Sequence, residues 1–509
     1  MGGFVSGPAA ARYPARRHRG RRIGMTLAAL LVVLALAAGG LAAWLYEGAL
    51  RSNVGDLGFR NRLRVPPLLE PETDRSGRRV FDLTAATGAT EFLSGNPTDT
   101  WGVNGSYLGP TLRARTGDRV RVHVTNHLDE PTTLHWHGMH LPAAMDGGPH
   151  QPIAPGATWS PEWTVTQPAA TLWYHAHPAG RTLEQVYRGL AGLFLIDDRV
   201  SATSGLPHRY GVDDIPLIVQ DKNFTGDGQL DTGRTRFSPI GPLGDEILVN
   251  GTHDPYLPVT TRLVRLRLLN ASAARTYDFG FTDNRPFAAV ASDAGLLPAP
   301  YELRRLRLAP SERAEIVVAV SPDDHVVLRS HPTGLGGGAL PDRFAGADDS
   351  FDILRLQAAS RLTGPTALPE QLPAPAPVIP PAGADRRVFT FNHASRINGH
   401  AYAPHRIDFS VAPGATEIWE LRNGSDNPHV FHVHGVSFTV LSLAGSRPPP
   451  HLTGRKDSLL LPAGTAAVIV VRFGTHADPE RPYMFHCHLM AHEDHGMMGQ
   501  YTVTGGRTR

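Results

Sequence analysis

The sequence predicts an all-β protein: three antiparallel β-sandwich domains of Greek-key type behind one N-terminal transmembrane helix. Three observations lead there. An Asn-Gly turn followed by an alternating strand recurs three times; glycine (53) and proline (44) are frequent, as short strands joined by many turns require; and one uncharged run near the start is long enough to cross a bilayer. With 509 residues the chain is too long for one ordinary core. A net charge of +2 lacks the concentrated basic face of a nucleic-acid binder, so no nucleic-acid partner is expected.

Residues 1–22 carry Arg12, Arg16, Arg17, Arg19, Arg21 and Arg22, followed by the apolar run Ile23 to Tyr46, "IGMTLAALLVVLALAAGGLAAWLY". The arginines predict a cytoplasmic start and export of everything after the run. A cleaved signal segment is the competing reading, because Ala35-Leu36-Ala37 offers small residues and Arg21-Arg22 reads as a twin-arginine signal. The length of the run favours a retained single-pass anchor in the cell membrane; cleavage would give a secreted protein. Residues 47–75, with prolines and charges, read as a stalk.

The repeats are "VNGSYLGPTLRARTGDRVRVHVTN" from Val103, "VNGTHDPYLPVTTRLVRLRLLN" from Val249 and "INGHAYAPHRIDFSVAPGATEIWELRN" from Ile397. Asn-Gly favours a tight turn, and each copy ends in a half-buried strand stopping at Asn126, Asn270 or Asn423. Each domain closes on an apolar run: "GLAGLFLI", "AEIVVAV" or "AAVIVVRF". The expected domains are 76–200, 212–357 and 386–506, with a Pro-rich connector over 358–385 that cannot be a central strand. Helices should be few beyond the anchor and a turn in "GRTLEQVYRGL".

Four His-x-His units occur: His135 and His137, His175 and His177, His432 and His434, His486 and His488. Side chains two apart on a strand share a face, so each unit aims two imidazoles one way. Two units lie in domain one, two in domain three and none in domain two. Eight converging imidazoles would each need a partner if buried and neutral, and would repel if protonated. Metal ions resolve that conflict.

Cys487, the single cysteine, stands between His486 and His488, and alternation turns its sulfur to the opposite face. One cysteine permits no internal disulfide, so this thiol is either inert or functional. His429, His492 and the thioether of Met497 are near in sequence. Two His, one Cys and a weak axial Met define a blue-copper electron-transfer centre.

The segments "HWHG", "HAH", "HVFHVHG" and "HCHLMAHEDHGMM" resemble the copper-binding motifs of the multicopper oxidases, cupredoxin-type β-sandwich proteins that include laccases. The similarity spans most of residues 76–506 and is nearest to the three-domain bacterial branch of laccases, cuprous oxidases and bilirubin-oxidase-like enzymes; "VQDKNF", "TDNRP", "SDAGLLP" and "RKDSL" add to it. The resemblance implies four copper ions. His429, Cys487 and His492 would hold type 1 copper with Met497 axial; His135 and His432, type 2; His137, His175, His177, His434, His486 and His488, the type 3 pair. Substrate would give up one electron at a time at type 1 copper, and O2 would be reduced to water at the trinuclear cluster. Domain two would be a spacer, and a monomer is expected.

Asp146 in "MDGGP" and Glu493 in "HEDHG" resemble the family's acidic residues near the cluster and are expected to deliver protons. Plainer readings are a turn residue for Asp146 and a partner orienting a histidine for Glu493. Asp457 in "GRKDSLL" matches a carboxylate that would lie near the type 1 histidine and meet a reductant, or else pairs with Arg455 or Lys456 on the surface. Asp494 and His495 are expected at the surface or behind the ligands, and His140, His150, His393 and His451 are treated as ordinary. Residues 331–351 hold none of the chain's 8 methionines, which weakens a dedicated Cu(I) oxidase. Phenols or aromatic amines come first as reductants, then Cu(I), Fe(II) or Mn(II). A non-enzymatic envelope protein of this fold is a third reading, against which all eleven His and Cys positions stand intact.

Overall fold

The computed structural model describes residues 1–5, 7, 17–93, 95–233, 237–392 and 395–505, with side chains of the first helix from residue 25 onward. Arg12, Arg16, the side chains of Arg17, Arg19, Arg21 and Arg22, and His393 lie outside the described residues. The chain divides into Met1–Leu50 and Arg51–Arg509.

The first unit is a helix, Arg17–Ala49, slightly longer than the apolar run. Its Met25–Ala49 stretch is long and apolar enough to cross a membrane, and none of it is buried by protein. A signal sequence has the same properties.

Among the described residues of the second unit, six sheets form three sandwiches. The first sandwich packs the sheet of Arg79–Leu93 and Arg119–Asn126 against that of Leu112–Arg115, Ala191–Asp197, Ala170–His175 and His135–His137. The second packs Asp214–Lys222, Leu263–Asn270 and Arg313–Ala319 against Pro255–Thr261, Phe351–Thr363 and His325–Ser330. The third packs Asp385–Asn392, Thr416–Asn423 and Ala466–Arg472 against Met498–Val503, Asp478–Cys487, His429–Val433 and Ser458–Leu461.

The repeated asparagines explain why one motif builds three sandwiches. Asn104, Asn250 and Asn398 all take positive φ (55°, 51° and 53°), which asparagine tolerates. Each side chain bridges a neighbouring strand: Oδ1 accepts from the N–H of Thr84, Ile218 or Thr390, and Nδ2 donates to the carbonyl two residues earlier, on Asp82, Pro216 or Val388. Asn126, Asn270 and Asn423 close the following strand. Their Oδ1 accepts from the N–H two residues on, and their amides donate to buried carbonyls. Leaving such an interior group unpaired would cost about 1–3 kcal/mol.

The sheets differ from the uniformly antiparallel expectation. Each contains a parallel pair, with Ala85 opposite Asn126, Val219 opposite Asn270 and Phe391 opposite Asn423 in the three equivalent cases. The chain leaves the Asn-Gly turn for the opposite sheet, so the next strand in the original sheet arrives by a crossover and runs parallel.

Residues 51–75 are not a free stalk. Asn61–Arg62 adds a strand to Pro255–Thr261, and Asp254 accepts from the N–H of Phe59 at 2.5 Å. The Pro-rich connector starts later than expected, because Phe351–Thr363 is one continuous strand, and Leu372 buries itself on the second sandwich. The short helix in "GRTLEQVYRGL" is Thr182–Arg188. Ala339–Phe344 and Met490–Asp494 are further short helices, too brief to show an apolar period.

Candidate metal centre

The His-x-His units sit at strand ends. His135–His137 is a strand in itself, whereas Ala170–His175, His429–Val433 and Asp478–Cys487 each stop between the two histidines of their unit. Alternation places Trp136 on the far face, 5.4 Å from Trp163 in the apolar core. The strands of the first and third sandwiches thus deliver all eight rings, each at most 1% exposed, into one volume.

There the ring nitrogens converge in threes. His137, His175 and His488 form one group, His177, His434 and His486 a second, and His135 and His432 a third that shares His137. His177 Nε2 and His434 Nε2 each lie 3.2 Å from His486 Nε2, and His137 Nδ1 lies 3.4 Å from His175 Nε2. His135 Nε2, His432 Nε2 and both nitrogens of His488 have no hydrogen-bond partner among the described residues. Burial and neighbouring imidazoles hold His135, His137, His177, His432, His434 and His488 well below the usual histidine range, so these rings are neutral. Neutral rings facing one another through bare nitrogens are a costly arrangement without a cation.

Cys487 faces the other way. Its Sγ lies 3.5 Å from His429 Nδ1 and 3.8 Å from His492 Nδ1, and the two Nδ1 atoms are 3.3 Å apart. Burial pushes the thiol up to about 12, so its thiolate needs an adjacent positive charge. Both donor sets suit a metal such as copper. Met497 is fully buried and close in the backbone, its carbonyl accepting from Cys487 N–H at 3.0 Å.

A sequence profile described as "Multicopper oxidase" matches residues 84–201, and a second of the same description matches 376–507. The multicopper oxidase mco of Staphylococcus aureus is 38% identical over 451 residues, which are 87% of this chain and 93% of that one. The chain belongs to the multicopper oxidase family. Cell division protein FtsP of Escherichia coli (strain K12) is 36% identical over 466 residues, 90% of this chain and 96% of that one. Among solved structures, a bacterial laccase-like multi-copper oxidase CueO from the lignin-degrading bacterium Ochrobactrum sp. is 37% identical with a TM-score of 0.79, covering 87% of this chain and all (100%) of that one. Its description gives it oxidase activity towards lignin model compounds and lignosulfonate.

Groups behind most of the histidine rings bond the outward nitrogen and fix the ring's orientation, as partners of metal-binding histidines do. His434 Nδ1 donates to Asp146 Oδ2 at 2.6 Å, and Glu493 lies 3.3 Å from His177 Nδ1 and 3.2 Å from His486 Nδ1. Three rings of one group are thus backed by two carboxylates that leave their Nε2 atoms inward. Asp146 also belongs to a tight turn: its carbonyl accepts from His135 Nδ1 at 2.9 Å, and a side chain at Gly147 (φ 77°) would meet Leu134 O at 1.9 Å. Burial, only partly offset by histidines, raises the Asp146 carboxyl to about 6.

Asp457 corrects its expectation. It is fully buried, so it cannot meet a reductant at the surface, and its ion-pair partner is Arg313 rather than Arg455 or Lys456. Its Oδ1 lies 3.1 Å from His137 Nε2, both its oxygens accept from Arg313, and its carbonyl accepts from His432 Nδ1 at 2.8 Å. The offset arises because the strand Ser458–Leu461 pairs with His429–Val433 in a register that sets Ser458 opposite His432, at the histidine-cluster end.

Asp494 accepts from the N–H groups of Thr182 and Leu183, tying the loop after Cys487 to the helix after His177. His495 is exposed, and His140, His150 and His451 belong to none of the converging groups. Pro239 is a residue the sequence did not reveal: its carbonyl, from the second sandwich, accepts from His492 Nε2 at 3.0 Å. A surface cavity of about 250 Å³ opens there, with Ser238, Asn392, Ser395, Asn427, His429 and His492 in its wall.

Proposed function

We propose that this chain is a copper-dependent oxidase coupling one-electron oxidation of a small reductant to four-electron reduction of O2 to water. One observation carries the reading: Cys487 and its two neighbours serve three separate donor groups, so a few covalent bonds join the surface cavity to the histidine cluster. His429, Cys487 and His492 would hold type 1 copper, with Met497 assigned to the same site; His135 and His432 would hold type 2; and His137, His175 and His488 with His177, His434 and His486 would hold the type 3 pair. Bound copper would supply a one-electron acceptor beside Cys487 and a store of electrons for O2 at the cluster.

The protein's own groups do the rest. Imidazole edges of His429 and His492 line the cavity, where a reductant would sit against them. Glu493 and Asp146 stand behind the cluster rings as the nearest carboxylates to move protons, and the complete burial of the rings keeps out bulk water. The cavity wall mixes neutral polar groups of Ser238, Asn392, Ser395 and Asn427 with apolar surface from Pro239 and Ala491 and carries no charge apart from histidine, a lining that would suit a phenol or aromatic amine. The likeness to the Ochrobactrum oxidase supports that class, while the likeness to FtsP keeps an envelope role without catalysis as the second reading. Sandwiches at 76–200, 212–357 (with its last strand running on to Thr363) and 386–506 would act as one exported monomer, held to the membrane by the first helix or released from it.

The test uses full-length, copper-loaded protein and O2 uptake with a phenol, an aromatic amine, bilirubin, Cu(I), Fe(II) and Mn(II). A blue protein that consumes O2 fastest with the organic reductants is expected, and His488→Ala should stop O2 uptake while the blue colour remains. Preference for a metal ion transfers the assignment to metal oxidation. A colourless or zinc-loaded protein refutes the oxidase.

A further inference from the structure

The second sandwich supplies no histidine to the cluster, yet it reaches the cluster through Arg313. This residue opens the strand Arg313–Ala319 and is 1% exposed. All its guanidinium N–H groups are engaged: Nε donates to Thr171 O at 3.0 Å, Nη1 to Ser311 O and Asp457 Oδ1 at 3.2 and 2.5 Å, and Nη2 to Asp293 O and Asp457 Oδ2 at 3.0 and 2.6 Å. Thr171 lies on the strand that ends at His175, so one side chain holds parts of all three sandwiches.

The far side of the held carboxylate meets a cluster ring. Asp457 Oδ1 and Ser458 Oγ both lie 3.1 Å from His137 Nε2, while Ser458 Oγ is itself 2.9 Å from Ser311 Oγ of the second sandwich. A carboxylate can only accept here, so Nε2 carries the hydrogen and Nδ1 is left bare toward His175. His137 is thus turned the opposite way from His177, His434 and His486, which present Nε2 to one another. Lys456, 2.9 Å from Asp293 and 3.2 Å from Glu312, helps to balance the buried charge behind this arrangement.

Gly138 is independent support. Its φ is 86°, and a Cβ there would meet Asp457 Oδ2 at 2.6 Å and Arg313 Nη2 at 3.0 Å. The glycine that ends "HWHG" thus makes room for the ion pair.

We propose that Arg313 is a positioning residue for the cluster: by clamping both oxygens of Asp457 it fixes His137 with Nε2 outward and Nδ1 toward the metal. The inference rests on the copper-oxidase reading above. Lysine would keep the charge but lose the planar fork, so it cannot hold both oxygens and the Thr171 carbonyl at once.

Full-length, copper-loaded Arg313→Met and Arg313→Lys are compared with the parent by blue type 1 absorption, the near-ultraviolet band of the coupled pair, the type 2 paramagnetic resonance and copper per chain. The type 1 signal should match the parent in both. The cluster signals should weaken or shift, and O2 uptake should fall about 10- to 100-fold in Arg313→Met with KM for the reductant unchanged; Arg313→Lys should lie between. Should Arg313→Met fail to fold, the same signal ratio in Arg313→Lys carries the test. Cluster signals equal to the parent's, or type 1 and cluster signals falling in proportion, overturn the positioning role. A parent that binds no copper overturns the oxidase reading instead.

Discussion

The two faces of the strand end at Cys487 share imidazole donors and differ in the thiol, in access and in how many sandwiches build them. On one face, Cys487, His429 and His492 belong to a single sandwich, and a surface cavity reaches their edge. On the other, eight sealed imidazoles come from two sandwiches, and carboxylates or carbonyls back most of them. The difference teaches how burial divides labour. A site that exchanges electrons with outside molecules needs an accessible edge, whereas a site that must hold several cations among neutral rings needs walls that fix every ring.

Cys487→Ser should break the comparison outright. The blue absorption and oxidation of every reductant should fall to background, while the copper of the histidine cluster, measured per chain, largely remains. Loss of all copper would mean that the two faces are one cooperative site.

Glu493→Gln and Asp146→Asn sharpen the sealed side. Each should lower O2 uptake by about 10- to 100-fold with the blue band intact, since each removes a charge that holds a ring and a group that can move a proton. Normal uptake in both would remove the carboxylates from the chemistry.

Lys222 probes the wall behind the sealed side. Its Nζ donates to Tyr187 O at 2.7 Å and lies 3.8 Å from the Tyr187 ring centroid, on the helix that follows His177. Burial outweighs nearby Asp221 and brings the ammonium down to about 7, below the ordinary value near 10.4. Between those values the unfolded chain binds more protons than the folded one, so this lysine's contribution to stability is present above about pH 10 and is lost as pH falls to about 7. Thermal unfolding of Lys222→Met relative to the parent should therefore gain most at pH 7 and least at pH 10. A difference independent of pH would refute the assignment.

The smallest effect belongs to the open side. Asn427→Ala should raise KM for a phenol by roughly fivefold, about 1 kcal/mol of lost hydrogen bonding, with kcat and the cluster signals unchanged. A fall in kcat instead would show that Asn427 supports the ligands rather than the reductant.

Much of this was legible in the chain. Strand ends at Asn126, Asn270 and Asn423 fell where the repeats put them, and alternation around Cys487 separated its sulfur from the neighbouring rings. Local patterns carry that kind of information. Asp457 was misplaced because its surroundings come from strand register, and Arg313 and Pro239 were invisible because their partners lie 144 and 253 residues away. Crossovers between sheets escaped for the same reason: an Asn-Gly turn specifies a reversal, not which sheet receives the next strand.

The clasp formed by Asn61–Arg62 on Pro255–Thr261 bears on what a cut after the first helix would leave behind. Proteolysis just after Leu50 would leave that added strand in place. A cut near residue 76 would instead strip the outermost strand from the second sandwich and bare the backbone row of Pro255–Thr261, inviting chains to stack edge to edge.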